Sequence, residues 1–205
     1  MPRGAASVLL ATGLITVSTA AARISQVPLR TLAATPQSVA DGRVWLLATS
    51  ALVADRPAFA SILGFLAVGM VAVLLCGTRV VWVAAAAGHI FSAAIVYVGI
   101  GLVRLTDPRA FESAVGLRDF GTSAIVAAWI GAIAYSLWRR GRHVPAVALC
   151  VVSALIGWYC KGTLTVLDWE HLFALGFGAA ALRYAALLEL RLRPGLKPDA
   201  VSSRT

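Results

Sequence analysis

Charge is what this sequence has least of. Of its 205 residues only 13% are Asp, Glu, Lys or Arg, while 60% are hydrophobic. A water-soluble domain carries about 25% charged residues, so a soluble globular fold is excluded. Acids are scarcest: 9 Asp and Glu stand against 18 Lys and Arg, a formal net charge of +9. In a soluble chain that excess would point to nucleic acid. Here the basic residues gather at the ends of apolar blocks and in the tail, where they set topology and meet anionic lipid head groups. No nucleic-acid partner is expected. Cysteine is sparse as well. Cys76, Cys150 and Cys160 are odd in number, lie in apolar blocks and lack metal-ligand spacing; buried thiols of this kind behave as small hydrophobes. Charge is also missing from the middle of the apolar blocks, and no two blocks are interrupted at matching positions of two halves. Both absences weigh against a small transporter or channel.

What the chain does have is long apolar runs, with a mean hydropathy of +0.84. Spanning a bilayer takes about 20 such residues. Runs at 4–22, 57–76, 80–103, 120–138, 144–160 and 169–188 read as transmembrane helices. The fold class is therefore all-α: a polytopic membrane protein with six transmembrane helices in one domain, residues 1–190. The first run is rich in Ala, Thr and Ser and ends in Ala20-Ala21-Ala22, so it reads as the first span or as a cleaved secretory signal. Residues 44–54 are apolar but about half the length needed to cross. They are expected to lie against the outer leaflet, with Ser50 reachable from outside. Only Gly77-Thr78-Arg79 separates the second and third helices, which makes them an antiparallel hairpin. Residues 104–119 are charged and mixed, and the basic tail 191–205 is expected to be disordered.

Orientation follows from the compact basic turn of Arg139, Arg140 and Arg142, which has no acid nearby and belongs in the cytoplasm. Both termini then lie in the cytoplasm of a cell with a bacterial-type plasma membrane. Trp82 and Trp138 fall in the inner aromatic belt, and Trp158, Tyr159 and Trp169 in the outer one. By the number of Lys and Arg alone the bias is small.

The fourth helix opens with Asp119-Phe120-Gly121-Thr122-Ser123-Ala124 and stays apolar to Trp138. Asp119 stands where a carboxylate caps a first turn. Ser123, Ala127 and Gly131 share one face; His171, Ala174 and Gly178 share a face of the sixth helix. Two faces of small residues let helices approach closely in lipid. Ser123 and His171 both fall about 5 Å below helix starts on the same side of the membrane. A serine within about 3 Å of an imidazole is the minimum for an activated nucleophile, and an ionisable side chain inside a membrane points to function. The bland reading is a serine of the kind common in membrane helices and a histidine pairing with Glu170 or water. His89 lies about 15 Å into the third helix, near the midplane and about 10 Å from the depth of Ser123. It fits a structural donor to a buried carbonyl better than the gate of a polar cavity. His143 falls in the basic turn, where it is expected to be solvated.

The order of these motifs resembles the rhomboid family of intramembrane serine proteases. Gly121-Thr122-Ser123-Ala124 resembles the family's Gly-x-Ser-Gly, and His171 with Ala174 and Gly178 resembles its histidine followed by small residues. Trp45, Thr49 and the run to Ala54 are similar to the family's external segment. Gly77-Thr78-Arg79 and Gly88 also look like the family, and the resemblance covers about residues 43–180. It implies a rhomboid-like bundle in the lipid bilayer, Ser123 as nucleophile and His171 as general base and then acid. It further implies structural or oxyanion support from Gly121 and His89, no cofactor, no metal, and transmembrane protein substrates or clients. The chain departs from the family at Ala54, Phe59 and Leu63, which stand where the family has two histidines and an asparagine. Ala124 likewise replaces the last glycine of the serine motif. Losing one oxyanion donor costs about 10²–10³ in rate. Two functions are therefore expected: a slow intramembrane serine endopeptidase, or a catalytically inactive pseudoprotease that binds membrane clients.

Overall fold

The computed structural model describes residues 3–28, 31–54, 57–161 and 167–192. The tail from residue 193, the Asp55-Arg56 pair, and the side chains of Trp158, Tyr159 and Cys160 lie outside that description. Every apolar run folds as a helix: α1 (Arg3–Ile24), α4 (Ala58–Cys76), α5 (Thr78–Val103), α7 (Thr122–Arg139), α8 (His143–Lys161) and α9 (Leu167–Leu192). α9 runs on past the expected end of the domain, because the helix-forming residues Leu187–Leu192 contain neither Gly nor Pro to stop it. Among the described residues, three of these helices, at Gly4–Ile24, Ala58–Cys76 and Thr78–Val103, are long and apolar enough to cross a membrane. Large side chains such as Leu10, Phe59, Leu74 and Val144 stay on the exterior. An apolar exterior of this kind is compatible with a membrane protein.

Among the described residues, three short helices fall between the long ones: α2 (Pro36–Ala40), α3 (Leu46–Ser50) and α6 (Pro108–Val115). Thr35 and Ser38 close a reciprocal capping box on α2. Asp107 caps α6, accepting from the N–H groups of Arg109 at 3.1 Å and Ala110 at 3.0 Å, with Pro108 in the first turn. α2 and α3 pack on α5, and α2 also touches α6. The 44–54 run is therefore docked on protein, with only part of it outward. Helical spacing puts Leu46 and Ser50 on the inner face and leaves Val44 and Trp45 outside. Ser50 is 0% exposed, which corrects the expectation that it is reachable from outside.

α7 is the hub on which α4, α5, α8 and α9 pack; α1 packs chiefly on α4, and α8 on α7. The buried side of α7 is built from Ala124, Ala128 and Ala132 around one large ring, Trp129. That indole is tilted against Phe65 at 4.6 Å and edge-on to Trp82 at 6.2 Å between ring centroids. Its N–H donates to Val81 O at 2.8 Å, so the buried donor is satisfied. The half-buried Trp82 indole donates to Ser7 Oγ on α1 at 3.0 Å, which ties α5 to α1.

The approach of α9 to α7 is set by glycine. A Cβ on Gly178 would collide with the backbone of Ala128, and one on Gly131 with the backbone of Leu175. The two helices touch main chain to main chain at two points about one turn apart. Ala128 rather than Ala127 meets the partner glycine, a rotation of one residue from the expected face.

Candidate active site

Ser123 is the second residue of α7, and Gly121 is the N-cap with no side-chain hydrogen bond. Asp119 does not cap this helix. The helix starts two residues too late for that, and the buried Asp119 carboxylate instead accepts from Tyr97 Oη at 3.2 Å. Its backbone forms an isolated antiparallel bridge with Ala34, Asp119 N–H donating at 2.8 Å and Ala34 N–H at 3.2 Å. These bonds hold Asp119 inside the fold, and Gly121 and Thr122 at the start of α7 are buried as well.

Across 48 residues of sequence, Ser123 Oγ and His171 Nε2 stand 2.9 Å apart. The serine is exposed and the histidine half-buried. With the ring proton on Nδ1, Nε2 accepts from the serine hydroxyl; the same hydroxyl also reaches Phe120 O at 3.2 Å. On the other side of the ring, His171 Nδ1 lies 3.9 Å from Asp168 Oδ1. Asp168 was not among the candidates drawn from the sequence. Its signal was available, an acid three residues before the histidine on one helix face.

His89 and Gly121 also meet. A Cβ on Gly121 would run into the His89 ring, so only glycine lets the loop pass. His89 on α5 therefore lies against the residue that opens the serine helix. His89 Nε2 lies 2.5 Å from Leu47 O and 3.4 Å from Ser50 Oγ, a bond that ties α5 to α3. Glu170, adjacent to His171, is buried on the same side as His89 and Asp119. One donor atom from each of these three lies within 4.8 Å of the others. Among the described residues this is the group whose donors could hold a metal ion. Its members come from α5, the loop before α7, and α9.

Of the positions that depart from the rhomboid pattern, Ala54 is buried, whereas Phe59 is 80% and Leu63 51% exposed. The latter two share an outward face of α4, four residues apart. An apolar cavity of about 470 Å³ lies between α3 and α5, lined in part by Leu47, Ala51, Trp82, His89 and Ile125. No family model matches the chain, and no curated protein or solved structure matches it. The rhomboid resemblance therefore rests on the residues themselves.

Proposed function

We propose that this protein is a rhomboid-like intramembrane serine endopeptidase that cleaves transmembrane substrates. The observation that carries the reading is the 2.9 Å contact between Ser123 Oγ and His171 Nε2. In the proposed reaction His171 Nε2 takes the hydroxyl proton while Ser123 Oγ bonds to the scissile carbonyl carbon. The imidazolium then gives that proton to the leaving amine as the C–N bond breaks. Water, deprotonated by the same ring, releases the acyl group and restores the serine. Ser123 sits at the electropositive end of α7, where first-turn N–H groups favour a developing oxyanion.

In this reading all six long helices span the bilayer of a bacterial-type plasma membrane, with both termini in the cytoplasm. Ser123 and His171 then open toward the outer face, where a substrate helix unwinds. A second reading is favoured by Phe59 and Leu63, exposed apolar side chains where the rhomboid family has oxyanion donors. On that reading the protein is a pseudoprotease that holds transmembrane clients.

A fluorophosphonate reagent separates the two, because it reacts only with an activated serine. The protease reading expects labelling of the wild type at Ser123 and its loss in both Ser123→Ala and His171→Ala, the two acting as a unit whose effects do not add. Absence of labelling in folded wild-type protein leaves the pseudoprotease. Labelling that persists in Ser123→Ala refutes the assignment of the nucleophile.

A further inference from the structure

We infer that Asp168 is the positioning residue of the site, holding His171 in the tautomer that accepts the Ser123 proton. The inference rests on the protease reading above. The imidazole is bracketed: Ser123 Oγ lies 2.9 Å from Nε2, and Asp168 Oδ1 lies 3.9 Å from Nδ1. A neutral imidazole carries its proton on one nitrogen only, and the partner of the other nitrogen decides which. A carboxylate facing Nδ1 draws the proton there and leaves the Nε2 lone pair toward the serine hydroxyl. The reverse tautomer would place N–H against O–H, and no proton could leave the serine.

The distance has a consequence of its own. At 3.9 Å the pair is an ion-pair contact and not a direct hydrogen bond. The carboxylate therefore acts through charge, most strongly on the imidazolium that forms as the serine attacks. Both partners keep some solvent contact, with side-chain exposures of 28% for His171 and 23% for Asp168. That screens the interaction, so the effect falls below the about 10⁴-fold loss seen for a buried triad aspartate in other serine proteases. Local architecture supports the assignment. Asp168 and His171 are separated by three residues on α9, so helical geometry puts them side by side. Asp168 also lies in the first turn, where a carboxylate is favoured by the helix dipole. The two neighbouring acids are divided by the helix: Asp168 lies beside the ring of His171, while Glu170 is buried near His89 and Asp119.

The test uses the full-length protein in detergent and the second-order rate of fluorophosphonate labelling at Ser123. Asp168→Asn should slow labelling about 10- to 100-fold with an unchanged melting temperature, and Asp168→Glu should restore most of the rate. For a cleaved substrate the same loss should fall on kcat and leave KM unchanged, since the carboxylate acts in the transition state. Asp168→Ala is measured alongside, so that a folding defect peculiar to the amide does not decide the matter. Equal rates in wild type, Asp168→Asn and Asp168→Ala would overturn the inference and leave the protease reading standing. Unfolding of both variants would also overturn it, making Asp168 a structural residue. No labelling of the wild type would overturn both.

Discussion

Replacing Gly178 with leucine strikes the geometry that brings Ser123 and His171 together. At this position even a methyl group would collide with the backbone of Ala128, and leucine adds four carbon atoms. α9 has nowhere to yield except away from α7, because its partner there is main chain and not a flexible side chain. Overpacking of a tight contact costs about 1–3 kcal/mol. For a chain of this size each kcal/mol moves the melting temperature by about 2–4 °C, so a fall of about 2–12 °C is expected. The functional effect should be steeper. The Ser123–His171 contact is 2.9 Å, and a separation of about 0.7 Å takes it beyond hydrogen-bonding range. Gly178 lies two helical turns from His171, close enough for a rigid helix to transmit the displacement. The assay pairs thermal unfolding in detergent with the rate of fluorophosphonate labelling. Gly176→Ala is the control, since nothing lies within 4 Å of a Cβ there; it should leave both measurements unchanged. Wild-type melting and labelling in Gly178→Leu would refute the backbone-to-backbone contact and the account of the site built on it.

Gly121→Ala should destabilise the fold and slow labelling at Ser123, because its methyl meets the His89 ring. Combining it with His89→Ala should cost less than the sum of the two single changes, and strict additivity would show that the residues do not touch. Cysteine at Ser50 should resist an impermeant thiol reagent, whereas cysteine at the exposed Trp45 should react; equal labelling of both would contradict the inward face of α3. A reporter fused after Lys197 should be active only in the cytoplasm, from the basic Arg139–Arg142 turn. Activity of a periplasmic reporter at that site would reverse the proposed orientation.

Much of this arrangement was legible in the sequence, and for a definite reason. Apolar runs near membrane length become helices because every backbone polar group is then satisfied within the segment. Small residues at helical spacing mark the places where two helices can touch, which is how Ser123 and His171 could be paired across a gap of 48 residues. Burial was less legible. Reading it from residue counts assumes that loops stay at the surface, and the loop before α7 does not. Its inward course depends on the Ala34–Asp119 bridge and on Tyr97, partners remote in sequence that carry no local signature. The same cause hid the inward face of Ser50 and the meeting of Gly121 with His89. α6 had a readable start in Asp107-Pro108, obscured by the surrounding charges. Asp168 was readable too, but only once His171 had a reason to need a neighbour.

The contact between α7 and α9 has a further consequence for how the chain can change. Two glycines hold the main chains together, so the site depends little on the shapes of the surrounding side chains. Positions on the exterior, such as Leu10, Leu74 and Val144, have only to remain apolar. One aliphatic residue serves there as well as another. A handful of positions thus fixes how α7 and α9 meet, while the outward positions carry a far looser demand.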